Sequence, residues 1–80
     1  MRILDEDNDK ALNNVSIFLT ITEAKELRDT LEQLIPHPIK EHMHVNDADY
    51  KKEITILIYE PAGDLSMLHE RARRIILEDQ

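Results

Sequence analysis

The stretch Ile39-Lys40-Glu41-His42-Met43-His44-Val45-Asn46-Asp47-Ala48-Asp49-Tyr50-Lys51-Lys52-Glu53-Ile54-Thr55-Ile56-Leu57-Ile58-Tyr59 decides the fold class. Ile39, Met43 and Val45 share one parity, whereas Lys40, His42, His44 and Asn46 share the other. Beyond the acidic tract Asn46-Asp47-Ala48-Asp49, Ile54, Ile56 and Ile58 alternate with Glu53, Thr55, Leu57 and Tyr59. Alternation with a period of two places successive side chains on opposite faces of a strand. Two such runs around a short polar tract predict a β-hairpin from residues 39–46 and 53–59.

Upstream, Pro36 and Pro38 interrupt the chain, and before them the period changes. Ala24, Leu27, Leu31 and Leu34 recur at steps of three and four, the stripe of an amphipathic helix over residues 22–35. Thr20 and Glu23 have the spacing of a capping box at its start, Thr22 is an alternative cap, and Pro36 cannot continue it. Lys25/Asp29 and Arg28/Glu32 are spaced for ion pairs along its surface. Still further upstream, Val15, Ile17, Leu19 and Ile21 alternate with Ser16, Phe18 and Thr20, which predicts a strand over residues 15–21. The polar tract of residues 5–14 separates it from a short apolar start at Ile3-Leu4, a weaker strand over residues 2–5.

Downstream, Pro61-Ala62-Gly63 breaks the chain at its only glycine. Asp64 or Ser66 can cap a second helix with Leu65, Leu68, Ala72, Ile75 and Ile76 facing inward. Arg71, Arg73 and Arg74 are expected in its later turns, where positive charge complements the helix dipole.

The order, a weak strand followed by βαββα, predicts a single two-layer α+β domain over residues 1–80, with both helices on one face of a mostly antiparallel sheet. The preferred strand order is 2–5, 15–21, 53–59, 39–46, with a right-handed crossover after the second. This arrangement resembles a ferredoxin-like sandwich whose N-terminal strand takes the slot usually filled by a C-terminal one. Such an architecture hosts many unrelated functions and names none of them.

Composition narrows the function classes. The formal charge of −7 opposes binding to nucleic acid, whose affinity comes from cations neutralising phosphates. With no cysteine there is no disulfide, thiolate metal site or cysteine nucleophile. No apolar run is long enough to span a membrane, and the start shows no signal-peptide pattern, so a cytoplasmic location is expected. A single glycine excludes a phosphate-binding glycine loop. The hydroxyls of Ser16, Thr20 and Thr55 have no orienting third group or oxyanion loop written nearby, and no enzyme is expected.

Four groups of residues remain as candidates. His42 and His44 lie on one side of a strand, near enough to share an ion, and hairpin parity brings Glu53 or Thr55 opposite His44. His42, His44 and Glu53 would suit zinc or a similar divalent metal, with His37 a short way upstream. The simpler reading makes them polar guards of an edge strand, with no cofactor. Asp5, Asp7 and Asp9 imitate the start of a calcium loop, but Lys10 and Ser16 stand where its glycine and glutamate belong. The arginines could fork onto a phosphate, although Glu70, Glu78 and Asp79 dilute their field. On the outer face of the expected sheet, Phe18 lies on a strand neighbouring Leu57 and Tyr59. An apolar cluster on a face that ordinarily reads polar suggests a covered surface. The expectation is a small acidic non-enzymatic interaction or regulatory module, a homodimer or protein-bound species joined through Phe18, Leu57 and Tyr59. The alternative is a metal-binding or metal-responsive protein.

Overall fold

The computed structural model describes residues 1–80 and shows a small α+β chain with two separate two-stranded antiparallel sheets and two helices. The elements are β1 (Ile3–Asp5), β2 (Lys10–Leu12), α1 (Ile21–Leu34), β3 (His42–Asn46), β4 (Glu53–Leu57) and α2 (Glu70–Glu78). Contacts gather into two compact units, one of Met1–Ile17 with Leu65–Gln80, the other of Phe18–Asp64.

In the first unit β1 and β2 form a hairpin in the register Ile3↔Leu12, Leu4↔Ala11 and Asp5↔Lys10. Its turn is built by Asp5, whose carboxylate accepts from the backbone N–H of Asp7 (3.1 Å) and Asn8 (3.2 Å) and from the Asn8 side-chain amide (2.9 Å). Asp9 completes the reversal at φ 54°, a left-handed conformation that aspartate tolerates better than most residues. Asn8's side chain first, then the Asn8 and Asp7 N–H groups, hold the Asp5 carboxyl below its ordinary value. A carboxyl depressed in the folded state adds stability above the ordinary carboxylate range and loses it as pH falls through the depressed value. In an acid titration followed by NMR, the Asp7 and Asn8 amides should therefore shift together at a pH below that of an unfolded aspartate. Asp5→Asn should erase that inflection.

The second helix starts later than the sequence suggests. Leu68 N–H donates to Leu65 O (3.1 Å) and closes a separate turn, so α2 begins at Glu70 after His69, which supplies no side-chain cap. Arg73 covers this turn by donating to the carbonyls of Leu68 and Ser66. Because the helix starts at Glu70, the three arginines occupy its first half, and its last turn carries no basic residue. Leu65, Ile75 and Ile76 are buried, Leu68 and Ala72 half-buried, as the apolar stripe requires. Arg2 ties the two ends of the chain by donating to Ile76 O (3.1 Å).

In the second unit α1 follows its sequence signals closely. Thr20 Oγ1 accepts from Glu23 N–H (3.2 Å) and Glu23 Oε1 accepts from Thr20 N–H (2.9 Å), the reciprocal pair of a capping box. Leu27 and Leu31 are half-buried, Thr30 and Leu34 buried, and the helix packs on β3. Ala24 is exposed instead, so the inward stripe runs Leu27, Thr30, Leu31, Leu34. Arg28 pairs with its neighbour Asp29 (3.1 Å) rather than with Glu32. The hairpin register is His42↔Leu57, Met43↔Ile56, His44↔Thr55, Val45↔Ile54 and Asn46↔Glu53. Both strands are shorter than their alternation implies. Ile39 has φ 71° and ends the regular ladder, although its N–H still reaches Ile58 O (2.7 Å). Asp47 organises the connecting loop, its carboxylate accepting from the N–H of Lys51 (2.7 Å) and Lys52 (3.1 Å).

The expected strand over residues 15–21 does not form. Residues 14–20 run without bend, turn or ladder, and their backbone makes no hydrogen bond before Thr20. Two local events compete with it. The short segment Lys10–Leu12 takes the place beside β1, and the capping box draws Thr20 and Ile21 into the start of α1. Alternation gives a segment its two faces; the ladder must come from elsewhere. The four-stranded ferredoxin-like order is accordingly absent, and the chain holds two hairpins in its place.

Candidate functional site

The hairpin of the second unit gathers the polar residues that the sequence singles out. On its exposed face His44 Nδ1 lies 2.5 Å from Glu53 Oε1 and 2.9 Å from Thr55 Oγ1, and the Thr55 hydroxyl donates to Glu53 Oε1 (3.2 Å). Antiparallel pairing explains the grouping. Thr55 stands directly opposite His44, and Glu53 lies one diagonal away on the same face. His42 adds an edge-to-face ring contact with His44, centroids 5.2 Å apart.

This grouping has a clear chemical limit. In a hydroxyl-activating triad the carboxylate holds one ring nitrogen while the other takes the hydroxyl proton. Here Glu53 and Thr55 converge on the same nitrogen, so His44 cannot be oriented by Glu53 and act as base on Thr55 together. No group of three or more His, Asp or Glu side chains is placed to hold an ion, and His42, His44 and Glu53 are not gathered as one. Half-exposed side chains bonded across an edge pair are what an edge strand needs to resist unwanted pairing.

The acidic tract and the arginines are also engaged with each other or with backbone. Asp5 holds its own turn, and Asp9 lies between Arg71 and Arg74, with Arg74 Nη2 3.3 Å from Asp9 Oδ2. Arg71 also donates to Gln80 O, and its Nε and Nη2 are enclosed without a hydrogen bond, so the Asp9 carboxylate compensates its charge. These groups secure α2 to the β1–β2 turn.

The expected interaction residues fall in different settings. Phe18 is 92% exposed, whereas Leu57 and Tyr59 are half-buried and β4 ends at Leu57. The expected neighbouring strands that would have set Phe18 beside Leu57 and Tyr59 are absent, because Phe18 is in no ladder. Around Phe18, Val15 and Ile17 are each 53% exposed and Leu19 36%. From Asn14 to Thr22 the chain has no charged side chain, in a sequence of which 34% is charged. The sequence singles out Phe18 for its place on an expected sheet face, and not for the unbonded backbone on either side of it. The charge-free interval was the available signal.

Compared with family models, curated proteins and solved structures, the chain matches none of them. No helix is long and apolar enough to cross a membrane.

Proposed function

We propose that the chain is a small non-catalytic interaction or regulatory module that associates, with itself or with a protein partner, through the stretch Val15–Leu19. The observation that carries this reading is Phe18, 92% exposed within an uncharged segment whose backbone N–H and C=O groups are unbonded. An open strand-like segment of this kind is a template for main-chain pairing, with side-chain pockets giving specificity. Leu57 and Tyr59, already half-buried, have less area to contribute and would act as accessory contacts. The net charge of −7 favours a protein surface over nucleic acid as partner.

Burying one phenylalanine stabilises an interface by about 2 kcal/mol, roughly thirtyfold in dissociation constant. Phe18→Asp should therefore move the sedimentation mass of the pure protein toward monomer, or release a co-purifying partner, while leaving the far-ultraviolet spectrum unchanged. An unchanged mass and an unchanged set of bound proteins would end this reading.

A further inference from the structure

The interaction reading above leaves the occupant of Val15–Leu19 open, and the sequence of the stretch specifies one. Centred on Phe18, Val15-Ser16-Ile17-Phe18-Leu19-Thr20-Ile21 reads nearly the same in both directions. Ile17 mirrors Leu19, Ser16 mirrors Thr20 and Val15 mirrors Ile21. We propose that two copies of the chain pair antiparallel through this stretch, about a two-fold axis passing between their Phe18 residues.

Two-fold association needs a self-complementary surface, which a chemical palindrome provides in antiparallel register. Ile17 would stand opposite Leu19 and Ser16 opposite Thr20, apolar with apolar and hydroxyl with hydroxyl, combinations favoured across strands, while Ile21 stays in α1 and ends the pairing. No like charges would meet, because none lies between Asn14 and Thr22. This matters in a chain whose overall charge of −7 opposes self-association elsewhere.

The capping box selects which groups form the ladder. Along an extended segment successive N–H groups point to opposite edges, so those of Ser16, Phe18 and Thr20 share one edge and those of Ile17 and Leu19 the other. Thr20 N–H is already bonded to Glu23 Oε1 at 2.9 Å, which occupies the first edge at its end. The free edge is that of Ile17 and Leu19, whose N–H and C=O groups would exchange hydrogen bonds with Leu19 and Ile17 of the other copy. Phe18 then falls at the non-hydrogen-bonded position, where facing Cα atoms approach to about 4.5 Å and side chains meet most closely. That is where the most exposed apolar residue of the stretch gains most from a partner.

Because the chain has no cysteine, introduced thiols report the register without background. Ile17→Cys and Leu19→Cys proteins, each retaining Phe18, should form a disulfide when mixed and oxidised. Neither should cross-link alone, because like positions lie beyond the roughly 7 Å that a disulfide can bridge. Phe18→Cys should cross-link to itself, and Ser16→Cys should not. In the unmodified protein the Ile17 and Leu19 amides should gain hydrogen-exchange protection with rising concentration, and the Ser16 and Phe18 amides should not. A dimeric mass with no Ile17/Leu19 cross-link, or with Ser16→Cys linking as fast as Phe18→Cys, would overturn this register and leave the interaction reading standing. A mass that stays monomeric at every concentration, with Ile17 and Leu19 amides equally protected throughout, would mean that the stretch pairs within its own chain. A partner protein that binds the monomer through Phe18 would likewise overturn self-pairing while supporting the broader reading.

Discussion

Leu34→Ala should lower the midpoint of urea unfolding by an amount worth about 3 kcal/mol, with the slope of the transition unchanged. Leu34 is the one large side chain with no exposure at all, set at the end of α1 where Pro36 soon turns the chain away. Truncation there deletes buried methyl groups and leaves a cavity that the surrounding structure refills only in part. A chain of 80 residues has a total stability of about 4–12 kcal/mol at ordinary values per residue. The substitution therefore removes a large part of the margin, and at the lower end leaves the protein partly unfolded at room temperature. Leu34→Met, which nearly conserves volume, should cost less than about 1.5 kcal/mol. An alanine variant within about 1 kcal/mol of the parent would show that the surrounding side chains close the cavity.

Asp9→Ala should lower the stability of the first unit by about 2–3 kcal/mol. Two effects combine. The Asp9 carboxylate faces both Arg71 and Arg74, and Arg71 is largely enclosed, its side chain 24% exposed against 65% for Asp9. Removing the carboxylate leaves an enclosed guanidinium without its counter-charge, which is worse than never having had the pair. Alanine also fits poorly at φ 54°. Three thermal melts separate the two effects. Asp9→Asn keeps the left-handed preference and should cost about half as much as alanine. Asp9→Ala combined with Arg71→Met removes the stranded charge and should recover at least about 1 kcal/mol of the loss. A double variant as unstable as the sum of its parts would assign the loss to the turn alone.

Much of this architecture is legible because it is local. Thr20 and Glu23 lie within hydrogen-bond reach once the first helical turn forms, so the capping box can be read from spacing alone. The hairpin of β3 and β4 is also local, and its parity correctly separates Val45, Met43, Ile54 and Ile56 from exposed His42, His44, Glu53 and Thr55. The stretch Val15–Ile21 defeated the same reasoning, since period two describes which way side chains point and says nothing about who supplies the hydrogen bonds. The decisive competitor, Lys10-Ala11-Leu12, is too short to show any period, yet a tight turn held by Asp5 and Asp9 sets it beside Ile3–Asp5. The late start of α2 was hidden for a similar reason. Leu65 and Leu68 fit a helical stripe and also fit the isolated turn they in fact form. At the candidate sites, parity brought Glu53 or Thr55 to His44, and the register shows that both meet it at the same nitrogen.

Glu23 has a second effect through the bond it makes to Thr20 N–H. A β-ribbon whose outer edges are open can recruit further strands without limit, the route by which soluble proteins become fibres. By occupying Thr20 N–H with a carboxylate, α1 places a blocked donor and a negative charge at the end of one edge of the uncharged, open segment before it. Strand addition along that edge must stop before Thr20. The carboxylate that caps the helix would also set how far a paired strand could extend.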